Sequence, residues 1–96
     1  MTKLTLISSK KQPLKPLVEA AIQNELRLLK VGIDKTKRRI KEYELQNKMA
    51  TDKFLRLFEQ DKLEENLDFA EWIGEYRLLE RLEQKEETLE EVKFAD

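Results

Sequence analysis

The chain has 96 residues, of which 41% are charged, and it contains only two glycines and two prolines. A chain of this length can bury one thin core, and this composition favours long helices. The absence of cysteine and histidine excludes disulfides and thiolate zinc sites and removes the commonest catalytic bases, nucleophiles and metal ligands. We therefore expect a protein that is not an enzyme and needs no cofactor or metal.

Targeting signals are equally scarce. No apolar run approaches the ~18 residues that a membrane-spanning helix requires. The apolar stretch near the N-terminus is too short for a secretory signal. The sequence therefore predicts a cytoplasmic protein that does not enter a membrane.

The net charge of −1 hides an uneven distribution. Residues 1–41 carry 11 basic and 3 acidic side chains, a balance of +8, whereas residues 42–96 carry 8 basic and 17 acidic ones, a balance of −9. Mutual neutralisation of the two halves in a chain that folds back on itself is the favoured interpretation. The alternatives are a basic face for nucleic acid or an acidic partner, and a solvated surface whose exposed pairs contribute under ~1 kcal/mol each.

Residues 1–16 are predicted to form a basic N-terminal arm. The segment Lys3-Leu4-Thr5-Leu6-Ile7 alternates enough for a short strand, but a lone strand has nothing to pair with in this chain. The arm is therefore expected to be disordered or to pair with another chain. Pro16 suits the first turn of the following helix, where its missing N–H leaves no acceptor unpaired.

A long helix is predicted from residue 17 to about residue 46. Gly32 lies inside it, where glycine costs about 1 kcal/mol relative to alanine. Either the helix continues through Gly32 or it breaks there, with Asp34 capping a new helix. Continuity is favoured because the apolar positions keep an unbroken 4-3-4-3-4-3 heptad spacing. This seam comprises Ile22, Leu26, Leu29, Ile33, Thr36, Ile40 and Tyr43.

A short helix is predicted over residues 51–60 and a second long helix over residues 68–93. Asn47 can adopt the left-handed conformation that ends a helix, so a break is expected just after it. Thr51 is predicted to cap the short helix with its hydroxyl, and Asp68 to cap the third helix. The third helix has its own apolar seam: Phe69, Trp72, Ile73, Tyr76, Leu79, Leu82, Glu86, Leu89 and Val92.

These elements predict an all-α protein, an antiparallel helical hairpin of two long helices with the short helix at the closed end and residues 17–96 as a single domain. In the expected register Tyr76 lies near Arg38, and Leu89 lies near residues 23–25.

An aromatic cluster is expected at the closed end. Trp72 should be buried against the first helix near residues 40–46, beside Phe54 or Phe58 of the short helix.

The beginning of the first helix is apolar on two faces. One facing helix cannot cover both, and the end of the third helix places Glu86 on its seam. A two-sided apolar helix on a thin hairpin indicates that another chain completes the core. The first interpretation is a homodimer that forms a coiled-coil-like bundle, and the second is binding of a different, cognate protein. The candidate interface residues are Leu17, Val18, Ala21, Leu28 and Val31.

The densest basic cluster is the candidate surface for nucleic acid. On a helix its side chains spread over several faces, and the chain has no recognised DNA-binding motif, so nucleic-acid binding is the less favoured alternative. The members of this basic cluster are Lys35, Lys37, Arg38, Arg39 and Lys41.

The acidic residues between the second and third helices are a weak candidate for a cation site. They lack the alternating spacing and the turn glycine of a calcium loop, so a solvated acidic turn is expected. These residues are Glu64, Glu65, Asp68 and Glu71.

One sequence pattern extends from residue 49 to residue 81. A Met-x-Thr-x-x-Phe-Leu segment is followed by an acidic turn and then by Asp-Phe-x-Glu-Trp-x-Gly. The pattern resembles a family of small uncharacterised bacterial and archaeal helical proteins, and the likeness extends more loosely over residues 26–42. The chain departs from it at Lys48 and at Asp61, where that family often has glycine. The matching residues are Met49, Thr51, Phe54, Leu55, Phe58, Glu59, Asp68, Phe69, Glu71, Trp72 and Gly74.

The resemblance implies an antitoxin-like role, because members of that family are often encoded beside a small toxin-like protein. The sequence as a whole favours a non-enzymatic protein–protein interaction module, in the antitoxin case one that masks its partner by laying a helix in a groove. The alternatives are a nucleic-acid-binding or autoregulatory protein that uses the arm and residues 35–41, and a homo-oligomeric structural coiled coil.

Overall fold

The computed structural model describes residues 4–7 and 13–92, and within these ranges the only regular elements are three helices. They are α1 (Leu14–Asn47), α2 (Thr51–Glu59) and α3 (Leu67–Glu90). The two long helices pack against each other. The predicted all-α class, with two long helices and a short one between them, is confirmed.

The ends of the long helices differ from the predicted ones. α1 begins at Leu14 because Pro13 caps it in an extended conformation and Pro16 falls in the first turn, where proline is tolerated. α3 ends at Glu90 rather than at residue 93. Its last turn contains acidic side chains and no basic ones. Acidic side chains are unfavourable there, because the C-terminus is the negative end of the helix dipole.

The described part of the predicted arm, residues 4–7, has no regular secondary structure. Leu4, Leu6 and Ile7 are exposed there. Residues 1–3 and 8–12 of the arm lie outside the described residues, and pairing of the arm with another chain stays a prediction.

α1 and α3 run antiparallel in one register. Three pairs define it: Tyr43 faces Glu71, Arg39 faces Glu75 and Gly32 faces Leu82. Residue numbers therefore fall along α3 as they rise along α1. The register confirms the expected proximity of Tyr76 to Arg38, and Leu89 lines one groove together with Glu25.

The heptad seam of α1 faces α3. Leu26, Leu29, Ile33, Thr36 and Ile40 are its buried residues. Thr36 is buried without an unpaired hydroxyl, because its Oγ1 donates a hydrogen bond to the Gly32 carbonyl at 2.8 Å. The helix continues through Gly32, as predicted. A Cβ at Gly32 would lie 3.5 Å from Leu82 Cδ1, an ordinary van der Waals distance, so the packing of α3 does not require glycine there.

An aromatic stack joins the three helices at the closed end. Trp72 of α3 is fully buried and lies parallel to Phe54 of α2, with ring centroids 3.9 Å apart. Tyr43 of α1 also stacks on Trp72, with ring centroids 6.0 Å apart. Ile40 belongs to the same buried cluster. The predicted burial of Trp72 beside Phe54 is confirmed.

Two predicted caps are wrong. The residue that caps α2 is Ala50, and the hydroxyl of Thr51 instead donates to Glu44 Oε2 at 2.8 Å. The backbone N–H of Thr51 donates to the same oxygen, so a side chain of α1 supplies the missing acceptor. α3 is capped by Asn66, whose side chain accepts a hydrogen bond from the N–H of Asp68.

Both turns contain a non-glycine residue in the left-handed region. Lys48 has φ 50° at the end of α1, and Asp61 has φ 54° after α2. Asn47, which was expected to adopt this conformation, is the last helical residue and its side-chain amide donates to the Tyr43 carbonyl. Both turns therefore hold a residue with a side chain in the backbone conformation that favours glycine.

Replacing Trp72 with alanine is expected to lower the free energy of unfolding by about 3–5 kcal/mol, because a fully buried aromatic side chain leaves a cavity. Urea unfolding followed by circular dichroism measures the change. Phe58→Ala is the control, since Phe58 is 40% exposed in the same region and should cost clearly less. Equal losses for the two variants would contradict the central place of Trp72 in the core.

Replacing Lys48 with glycine is expected to stabilise the fold by roughly 0.5–1 kcal/mol. The left-handed conformation costs a side-chain-bearing residue roughly 1–2 kcal/mol, and the greater backbone entropy of glycine in the unfolded chain cancels part of that gain. Lys41→Gly is the matched control, because it makes the same change inside α1 and should destabilise by about 1 kcal/mol. If thermal unfolding showed that both variants destabilise the fold, the left-handed conformation of Lys48 would not be a cost that glycine relieves.

Candidate functional site

The side of α1 turned away from α3 carries an exposed apolar stripe. Leu17 is 60% exposed, Leu28 54% and Val31 49%. With the exposed Ala21 and Asn24 they repeat at a 4-3-4-3 spacing, which is a second heptad seam. At 100° per residue its centre lies about 130° around the helix from the seam that packs on α3. We call these five residues the outer stripe.

Four of the five predicted interface residues lie on the outer stripe. Val18 is the exception, because it is half-buried and lies at the edge of the stripe, beside the seam that faces α3. Asn24 completes the stripe and was not among the predicted residues. The heptad spacing alone would have identified Asn24. It was left out because the interface residues were chosen for apolar side chains and Asn24 has an amide.

The first turns of α1 have no opposing helix in the described chain. The register brings Glu90, the last residue of α3, level with about Asn24. Residues 14–23 of α1 therefore extend past the end of α3. The start of the outer stripe lies on this extension, which agrees with the prediction that one facing helix does not cover the beginning of α1.

A second open surface lies at the closed end, between α2 and α3. It is a groove of about 740 Å³. Phe58, Leu63 and Ile73 supply its apolar lining, and the predicted acidic turn supplies Glu64 and Glu65 at its edge. An apolar floor with an acidic rim suits a partner segment that is both apolar and basic. We call this surface the closed-end groove.

One residue of the basic cluster forms an ion pair with α3. Arg39 Nε lies 3.2 Å from Glu75 Oε2, with the Arg39 side chain half exposed. That oxygen is buried and accepts no hydrogen bond within the described residues, so charge alone holds the pair. Lys35, Lys37 and Arg38 are exposed on α1, as is Lys41, and at 100° per residue the five basic residues are spread over about 200° of the helix surface.

A chain of hydrogen bonds links the three helices beside the aromatic stack. Trp72 Nε1 donates to Thr51 Oγ1 at 3.2 Å, and Thr51 Oγ1 donates to Glu44 Oε2 at 2.8 Å. Sequence reasoning missed Glu44, because its partners are seven residues away along the chain and no local spacing signals them. The arrangement gives hydrogen-bond partners to polar atoms at the junction of the three helices.

The environment of Tyr43 raises the pKa of its phenol. Its hydroxyl donates to Glu71 Oε2 at 2.9 Å. Burial, followed by that hydrogen bond and the nearby negative charges of Glu71, Glu75 and Asp68, raises the pKa of Tyr43 to about 12. With this pKa the phenol is protonated at neutral pH.

Neither a metal centre nor a membrane span is found in the part of the chain that the structure describes. No group of three acidic side chains there could hold a metal ion. None of the three helices is long and apolar enough to cross a bilayer. Comparison of the chain with protein-family models, with curated proteins and with solved structures gives no match. The described surfaces themselves therefore carry the functional argument.

The environment of Tyr43 predicts a loss of stability in alkali. The Tyr43 phenol ionises near pH 10.0 in the unfolded chain and near pH 12 in the folded chain, so the folded state holds the proton between these values. The unfolded state binds fewer protons there, and the contribution of Tyr43 to stability falls as the pH rises from about 10 to about 12. In Tyr43→Phe that component of the pH dependence should disappear.

Urea unfolding of both proteins at several pH values from 9 to about 12 measures the difference. Tyr76→Phe is the matched control, because it removes the only other tyrosine and keeps the Tyr43–Glu71 pair. If wild type and Tyr43→Phe lost stability in parallel across this range, the Tyr43–Glu71 hydrogen bond would not govern the titration.

Proposed function

We propose that the protein is a non-enzymatic protein-interaction module that self-associates through the outer stripe in a coiled-coil-like arrangement. The observation that supports this is the exposure of Leu17, Leu28 and Val31 at heptad spacing on a helix whose other seam is already covered. Burying such a side chain stabilises an assembly by about 1.5–3 kcal/mol relative to leaving it in water. A row of them on one helix is a typical association surface.

The closed-end groove supports the second part of the proposal, an antitoxin-like protein that binds a different partner. Its acidic rim and apolar floor would accept an apolar, basic segment of a cognate protein. The groove and the outer stripe lie on different elements, so self-association leaves the groove accessible. A homodimer would then present two copies of it to partner proteins.

The nucleic-acid alternative has weaker support. Arg39 is engaged with Glu75, and the basic residues are spread over about 200° of the α1 surface. Binding to a duplex normally needs basic side chains gathered on one face or one helix edge. The basic cluster is better explained as a solvated surface with one intramolecular ion pair.

The oligomeric state tests the proposal. Multi-angle light scattering at micromolar concentration should give about twice the chain mass for the wild type. Leu28→Glu should give a monomer, because it places a charge in the middle of the outer stripe. Leu45→Glu is the matched control, since Leu45 is also exposed on α1, at 68%, but lies two heptads past Val31, the last apolar residue of the stripe, and this variant should remain a dimer.

A monomeric wild type would refute self-association. The partner role is tested separately by purifying the protein together with the product of the neighbouring gene and asking for a stable complex. Micromolar binding of duplex DNA, with loss of binding and a shallower salt dependence in a Lys37→Gln, Arg38→Gln, Arg39→Gln triple variant, would instead establish the nucleic-acid alternative.

A further inference from the structure

We infer that the outer stripe is covered by a second copy of α1 in the antiparallel orientation, with the two-fold axis between the levels of Ile22 and Gln23. The inference rests on the proposed homodimer and specifies its geometry. In an antiparallel coiled coil each a position packs beside a d position of the other helix. With Leu14 one step before the stripe, this rule pairs Leu14 with Val31, Leu17 with Leu28, and Ala21 with Asn24, each pair occurring twice.

The length of α1 fits this arrangement. The helix begins at Leu14, and the outer stripe ends at Val31. In the antiparallel register the first helical residue of one copy lies level with the last apolar residue of the other. All six layers, about 26 Å of helix, are then formed between helical segments, and neither stripe runs on past the end of its partner helix.

Charge discriminates against the parallel orientation. The heptad that carries the outer stripe continues with Lys35, so a parallel pair would place Lys35 against Lys35 in the seam. The other residues of the basic cluster would also face their own copies, across the distance of about 8–10 Å between the axes of two packed helices. In the antiparallel pair the two Arg38 levels are about 46 Å apart, well beyond the Debye length of about 8 Å at physiological salt.

Asn24 is accommodated in the antiparallel orientation. Its Oδ1 accepts a hydrogen bond from Arg27 on the exposed surface of α1. An amide in a coiled-coil seam costs stability unless it is hydrogen-bonded, and it thereby selects one register. Opposite the small Ala21, Asn24 keeps room for its bond to Arg27. In a parallel pair the Ala21 layer would bring two alanines together and leave an unfilled space.

Disulfide trapping tests the orientation, because the chain has no cysteine of its own. Leu17→Cys and Leu28→Cys proteins, one carrying a mass tag, are mixed, equilibrated and oxidised. In the antiparallel pair these positions are level, so the mixture should yield a mixed disulfide in up to about half of the dimers. Each variant alone should yield none, because identical positions are separated by 11 residues, about 16 Å, and a disulfide needs Cα atoms within about 7 Å.

A second pair of cysteine variants tests the same orientation if the first pair does not fold or does not dimerise. Leu14→Cys with Val31→Cys probes the outermost layer and should behave in the same way. Leu45→Cys is the control for random oxidation and should remain uncrosslinked. Light scattering of each reduced variant shows whether the dimer is retained.

The possible outcomes separate this inference from the proposed function. Mixed disulfides without homodisulfides support the antiparallel pair. Homodisulfides from Leu17→Cys and from Leu28→Cys would show a parallel pair, overturning the inference and leaving the proposed homodimer intact. A dimer by light scattering in which neither pair crosslinks would place the interface elsewhere and overturn the inference. A monomeric wild type would overturn the inference and the homodimer together.

Discussion

The stack of Trp72 on Phe54 is the contact on which the rest of the structure depends. α2 has only nine residues, too few for a stable helix on its own, so it exists because Phe54 is held against α3. The hydrogen bonds from Trp72 to Thr51 and from Thr51 to Glu44 tie the same point to α1. Position and orientation of all three helices are thus determined at one end of the molecule. The register between α1 and α3 follows, because one fixed end and two regular helices leave little freedom along the axis.

Away from this end the hairpin is only two helices thick. The buried residues of α1 continue to Leu26, but most of the facing side chains of α3 are half-buried, and Glu86 interrupts their apolar seam. Past the end of α3 the first turns of α1 have no opposing helix in the described chain. α3 is the single long helix that faces α1, and it cannot cover both heptad seams of α1. This end of the hairpin buries few side chains, so it is weak as a core. It is suitable as an interface for the same reason, because its apolar surface is regular, exposed and carried by one helix, α1.

Periodicity made most of the fold predictable. The seam from Ile22 to Tyr43, the break after Asn47 and the burial of Trp72 all follow from spacing that a single sequence displays. Contacts between distant residues could not be predicted in this way. Thr51 has the hydroxyl of a cap, yet its partner is Glu44 on another helix, and Lys48 adopts a backbone conformation that its side chain does not suggest. The interface prediction selected apolar residues rather than a helical face, which is why it included Val18 and omitted Asn24.

The uneven charge of the chain has a second consequence once the outer stripe is considered. The apolar stripe and the basic cluster occupy successive parts of one helix, with Val31 the last apolar stripe residue and Lys35 the first basic one. Within one molecule only Arg39 has a described acidic partner from α3, at 3.2 Å. The other basic residues would oppose any assembly that aligns two α1 helices in parallel. This boundary between attraction and repulsion on α1 would limit a partner helix to the first half of α1. The proposed antiparallel orientation would meet that limit and would use every apolar residue of the stripe.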